Sequence, residues 1–224
     1  MSPLDTPRSD ARAAVSPGFL RPDLALIAEM VTPGSRVLDI GCSDGALLEH
    51  LARARDVTAR GMELQQKNVN ACVARGLSVI QGDADTDLVE YPSGAFDYAI
   101  LSLTLQATRD PRQVLEQMVR IARHAIVSFP NFGHWRVRLH LLLHGAMPVT
   151  DALPEPWYET PNIHLCTVKD FIGLTRRCGI EIEEAVVLND RQQRSGLATP
   201  RLANLFGQKA IFRLKRGELA PGRR

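Results

Sequence analysis

Three features of the sequence predict an α/β fold, with a mostly parallel sheet covered by helices on both faces. Short apolar runs bounded by glycines alternate with longer segments whose apolar residues recur at helical spacing. The alternation continues through most of the chain without an internal repeat. A glycine-containing turn, Gly41-Cys42-Ser43-Asp44-Gly45, leads directly from the first apolar run into the first well-marked helix. Such alternation builds βαβ units with right-handed crossovers. Ligands of these folds bind beyond the carboxyl ends of the strands, so the residues just after each strand are the ones to inspect.

Each element has a local reason. Pro22 opens a helix through LALIAEMV, and Pro33-Gly34 ends it. RVLDI (36–40) is dense enough in apolar residues for a buried strand, and a helix follows from Gly45. Strands are predicted at 56–63, 77–83, 95–102 and 124–130. Helices are predicted at 65–76, closed by Gly76, and at 110–123, with Asp110 as N-cap and Pro111 beside it. A helix starts at Trp135, and another runs through TVKDFIGLTRRCG to Gly179. The last strands are expected at 180–189 and 209–216, joined by a long loop over 190–208. The domain spans 21–216 on this reading, with flexible tails at 1–20 and 217–224.

Composition excludes more than it selects. The 224 residues carry 27 Lys plus Arg against 25 Asp plus Glu, so no excess of positive charge argues for nucleic-acid binding. Aromatics at 5% give no base-stacking platform. No apolar run reaches the ~20 residues of a membrane span, and the first residues lack the core of a signal peptide. Four scattered cysteines, none in C-x-x-C, read as reduced and cytoplasmic. No metal site is expected: His140 and His144 have helical spacing, but neither an accompanying Glu nor a third ligand.

The strand ends are more specific. After the first strand comes Asp39-Ile40-Gly41-Cys42-Ser43-Asp44-Gly45. It lacks the second glycine of a dinucleotide fingerprint, but has an acid two residues before Gly41 and a glycine four after it. This D-x-G-x-x-x-G arrangement resembles motif I of class I S-adenosylmethionine (SAM)-dependent methyltransferases. The resemblance implies SAM, or S-adenosylhomocysteine, on the turn, with Asp39 helping to hold the ammonium group. Glu63, followed by Leu64, ends the second strand, where an acid can accept from both ribose hydroxyls. Asp83 ends the third, where an acid can accept from the adenine amino group with a backbone N–H, as at Ala84, donating nearby. The alternative is a plain structural turn at Asp39–Gly45 and at Asp83 and a solvated surface acid at Glu63, and the conjunction of three acids at three successive strand ends favours the ligand. The expected cofactor set is Asp39, Gly41, Cys42, Ser43, Gly45, Glu63, Leu64, Asp83, Ala84 and Ser102, with Cys42 acting through its backbone.

Beyond the fifth strand, FPNFGHW (129–135) and TPNIHLCT (160–167), together with LSLTLQATRDP (101–111), closely resemble the MetW family of methionine biosynthesis proteins. The resemblance runs from about Phe19 to Leu214. Ser43 departs from the usual pattern, where a glycine is common, as does Leu103, where a polar residue is expected. The resemblance implies one Rossmann-like class I methyltransferase domain with a seven-stranded sheet ordered 3-2-1-4-5-7-6. It also implies a supporting association with homoserine O-acyltransferase, the enzyme that begins the pathway. An active small-molecule methyltransferase remains the alternative.

In the helix after Phe132, Trp135, Leu139, Leu142 and Leu143 form one apolar face, and Arg136, His140 and His144 form another. The apolar face reads as a cover over the cleft, a partner-binding surface or, less well, a membrane-surface helix. Asn131, His134 and His164 are the weak candidates for catalysis, because a His near the acceptor can serve as general base. A hydrogen-bonded structural role is the competing reading for His164.

Overall fold

The computed structural model describes residues 20–195 and 199–217. The tails expected at 1–20 and 217–224 therefore lie outside the described residues, apart from Leu20 and Gly217. The chain order is α1 (Pro22–Met30), β1 (Arg36–Ile40), α2 (Ala46–Arg55), β2 (Thr58–Glu63), α3 (Gln66–Ala74), β3 (Val79–Gln81) and β4 (Phe96–Ser102). Then follow α4 (Pro111–Ile121), β5 (Ala122–Pro130), α5 (Trp135–His144), α6 (Val168–Arg177), β6 (Ile180–Leu188), β7 (Arg194–Ser195), α7 (Pro200–Phe206) and β8 (Lys209–Arg216).

The strands form one sheet in the order β3-β2-β1-β4-β5-β8-β6-β7. The first five are mutually parallel, and β8 lies antiparallel to both of its neighbours, β5 and β6. This is the order expected from the resemblance with one strand added. The sheet has eight strands, not seven, because Arg194–Ser195 folds back on the end of β6. The 190–208 link is thus not a plain loop: it holds β7 and then α7, where Thr199 caps the helix by accepting from the Leu202 N–H and Pro200 occupies the first turn.

Strand periodicity sorts the core into two layers. Leu38, Ile40, Leu101, Val127, Phe129 and Phe212 face one side and pack with Leu115 and Met118 of α4 and Phe171 of α6. Val37, Ile100, Ile126 and Ile211 face the other side and pack with Ile27 of α1 and Leu51 of α2. Phe129, Phe171 and Phe212 form an aromatic trio with centroids 4.7–5.9 Å apart. β1 is buried along its last four residues, as a central parallel strand must be, which is why it reads as an unbroken apolar run. Asp110 caps α4 as expected, accepting from the Gln113 N–H.

α5 departs from the reading as a packed cover. Only Val137 of the helix is buried, while Trp135, Leu139, Leu142 and Leu143 are exposed. The expected apolar face exists, but no described element receives it.

Candidate cofactor site and the strand ends around it

The turn after β1 is held against β2, with the Gly41 and Cys42 N–H groups both donating to the Met62 carbonyl, at 2.7 and 3.2 Å. Gly41 has φ +70°, and a Cβ there would lie 2.7 Å from Thr104 Oγ1. Gly45 has φ +76°, and a Cβ there would strike Leu77 and Cys72. Both positions require glycine on backbone and packing grounds. Ser43 and Leu103, the two departures from the family pattern, also have left-handed backbone, with φ +50° and +53°. Non-glycine residues are uncommon there, and each is tied down. Ser43 N–H donates to Glu63 Oε2 at 2.8 Å, and the Cys72 thiol donates to the Ser43 carbonyl. Leu103 N–H donates to the Ser128 carbonyl and hydroxyl.

Glu63 is buried at the end of β2, and its second oxygen, Oε1, accepts the Gln65 N–H at 2.9 Å. It therefore braces the glycine turn and the start of α3, while each oxygen keeps a lone pair for a further donor. Asp39 is 2% exposed, and no hydrogen bond from a described residue acts on its carboxyl. Burial, reinforced by the Glu63 charge and only partly countered by Arg21, pushes its carboxyl up to about 7. A buried carboxyl beside a second acid is either protonated or paired with a cation. Ammonium is such a cation.

Asp83 and Ala84 lie beyond β3. Asp83 Oδ1 accepts the Asp85 N–H, and Oδ2 pairs with Arg109 Nη2 at 2.6 Å. The Ala84 N–H makes no hydrogen bond among the described residues, leaving the donor expected for adenine. Leu64, 60% exposed beside Glu63, offers an apolar edge. Ser102 Oγ lies 3.2 Å from Ser128 Oγ at the end of β4. Cys42 is buried, and burial, with Asp39 nearby, pushes its thiol well up rather than down, so desolvation outweighs the helix N-terminus. Its backbone N–H is the useful group, as expected. The turn, Asp39, Glu63 and the free Ala84 N–H fit an adenosyl cation. Arg109 is the one element that must share or release its acid.

The catalytic candidates are placed less favourably. Both protons of the Asn131 amide go to the carbonyls of Asn204 and Gly207, and its oxygen accepts the N–H groups of Gly133 and Val168. That saturates it and makes it a clasp joining the starts of α5 and α6 to α7. His134 is 4% exposed and stands 3.3 Å from Asp190 Oδ1, but off the hydrogen-bonding line, leaving both atoms without a hydrogen-bond partner. Burial lowers its pKa against the pull of Asp190, with Arg136 also lowering it. His134, Arg136 and Thr150 help line a cavity of about 260 Å³. The His164 ring is exposed, with Nε2 3.2 Å from the Arg109 carbonyl oxygen. No described helix is long and apolar enough to cross a membrane.

Sequence reasoning missed Arg109 and Asp190 and did not single out Gln106. The acid run Asp83, Asp85, Asp87 calls for a nearby cation, and Arg109 answers it by donating its backbone N–H and guanidinium to Asp85 as well. Buried Gln106 donates to the Pro130 carbonyl and the Cys166 sulfur, and its backbone carbonyl accepts the N–H groups of Ile163 and His164.

The comparisons bear on the fold and the family. A bifunctional methionine biosynthesis protein MetXA/MetW of Rhodopirellula baltica is 36% identical over 185 residues, 78% of this chain and 30% of the relative. The chain thus spans under a third of that protein's length. A SAM-dependent methyltransferase from Mesorhizobium loti superposes with TM-score 0.62 at 21% identity, covering 86% of this chain and 96% of that one. The [4+2]-cyclase SpnF superposes with TM-score 0.62 at 19% identity, covering 87% and 80%. These structures share the α/β methyltransferase fold, and the cyclase shows that the fold alone does not fix the reaction. The model of the methionine biosynthesis protein MetW family matches residues 21–214, and the chain belongs to that family.

Proposed function

We propose that the chain binds SAM, or S-adenosylhomocysteine, at the ends of β1 to β4 and serves methionine biosynthesis as a methyltransferase-like partner of homoserine O-acyltransferase in the cytoplasm. The relative that carries MetXA and MetW on one chain supports the partnership most directly. The candidate bases support a non-transferring role. Asn131 is saturated, His134 is buried, and the His164 ring lies against a backbone carbonyl. The cofactor reading rests on Asp39, Glu63, the Gly41–Gly45 turn and the Ala84 N–H. When bound, SAM supplies a positively charged sulfonium and an ammonium. On this chain Asp39 would hold the ammonium, Glu63 would accept from the ribose hydroxyls, and the glycine turn would admit close approach.

The test is to mix the protein with the acyltransferase from the same organism and measure complex formation by mass photometry, with and without SAM. A complex is expected, and its absence in both conditions ends the reading. Calorimetry with SAM, S-adenosylhomocysteine and NAD addresses the cofactor. Binding of NAD alone would reverse it. The cavity beside His134 favours the second reading, an active methyltransferase on a small molecule. Labelled SAM screened against metabolite extracts tests that, and failure of transfer where SAM binds would exclude it.

A further inference from the structure

Of the sixteen large apolar side chains that stand exposed among the described residues, ten fall between Trp135 and Leu165. They belong to one insert, α5 and the segment after it, which leaves the sheet at the end of β5 and returns at the start of α6. The insert is pinned at its base. Asn131 Oδ1 accepts N–H groups from both ends, Gly133 and Val168, and the Phe132 N–H donates to the Cys166 carbonyl at 3.0 Å. Above that base, Leu153 lines two adjoining cavities, one shared with Val137 and Val149 and the other with Met147 and Trp157. The second, about 270 Å³, is a groove with Trp157 at its lip, 71% exposed. Leu142 and Leu143 of α5 are 80% and 66% exposed. No other stretch of the described residues gathers as many exposed large apolar side chains.

We infer that this insert is the face on which the acyltransferase seats, a deepening that rests on the partnership proposed above. Charge argues against a second copy. α5 carries Arg136, Arg138, His140 and His144 and no acid, whereas Asp151, Glu155 and Glu159 lie on the segment after it. Arg136 is already paired with Asp190, but helix to helix across a twofold axis the chain would still set Arg138, His140 and His144 against their own copies. A different protein with an acidic border to an apolar ridge meets the helix without that conflict. The MetXA/MetW relative supplies the candidate: there, most of the length lies outside the part that matches this chain. A module tethered in that way faces any unpartnered surface of its neighbour at high effective concentration. Aromatic and aliphatic anchors in a preformed groove are where such contacts concentrate their energy.

The test uses the full chain with Leu142→Glu and Trp157→Ala, and Val73→Glu on α3 as a control. Mass photometry and calorimetry measure acyltransferase affinity, and urea unfolding confirms that each variant folds. The first two variants are expected to weaken binding at least about tenfold, and the control to stay within about twofold. If the unsubstituted protein makes no complex, the functional reading falls and this assignment falls with it. If the complex forms and both insert variants bind it as the unsubstituted protein does, the assignment alone falls. A homodimer that Leu142→Glu dissolves, with acyltransferase binding intact, would give the face to a second copy and overturn the inference.

Discussion

Glu63 closes the glycine turn from the neighbouring strand, its Oε2 accepting the Ser43 N–H at 2.8 Å. The bond crosses from β2 to a residue held in left-handed backbone, so the acid expected to meet a ribose also sets the shape of the loop around it. Glu63→Ala should weaken SAM binding by about 1–3 kcal/mol, the range for a lost charged hydrogen bond. Calorimetry checks this, and unchanged affinity would remove Glu63 from the site.

Ser43→Gly relieves the left-handed backbone without moving a buried side chain. A non-glycine residue in that region costs roughly 1–2 kcal/mol, part of which glycine returns through its freer unfolded chain. The variant should gain about 0.5–1 kcal/mol in urea unfolding. A loss of stability would show that the serine hydroxyl makes a compensating contact.

Asp39 gives the protein a pH signature. Its folded carboxyl, near 7, lies above the ordinary aspartate value, so its contribution to stability is full in acid and is lost as pH rises from about 4 to about 7. A bound cation favours the ionised form, so SAM affinity should rise between pH 6 and 8. Asp39→Asn should flatten both trends. Parallel unfolding and calorimetry across pH measure them, and an unaltered slope in the variant would locate the titration elsewhere.

Arg109 competes for the acid expected to meet adenine. Its ion pair with Asp83 is 65% exposed on the arginine side, so Arg109→Ala should change stability by less than about 1 kcal/mol. SAM affinity should hold or improve by a fewfold, because Asp83 is freed. Weaker binding in the variant would mean that the guanidinium contacts the ligand.

Asn131→Ala should cost about 2–4 kcal/mol in urea unfolding, since it strands four buried backbone groups at once. A stable variant with altered ligand or methyl-transfer behaviour would instead restore Asn131 as a candidate for chemistry.

The parts legible in the sequence were those whose signal is local. β1 reads as a strand because a strand buried on both faces is apolar at nearly every position, and α4 announces itself through Asp110 and Pro111. Gly41 and Gly45 mark the turn that needs them. Two-residue β7 is too short to carry any period, and the Thr199-Pro200 start of α7 lay inside a stretch read as loop. The Asp83–Arg109 pair joins residues 26 positions apart, so neither residue signals the other. In α5 the apolar spacing was visible, but periodicity tells only that a helix has a face. It does not say what meets that face.

The placement of β8 has a consequence for how the molecule is made. β5 is complete at Pro130, yet its outer neighbour begins only at Lys209. During synthesis the sheet therefore waits with an open edge, and Phe129 waits without Phe212 above it. A nascent or truncated chain lacking β8 presents a hydrophobic, unpaired border, the kind that recruits other strands. β8 is the keystone, and chains cut before it should aggregate rather than fold to a smaller version of the same domain.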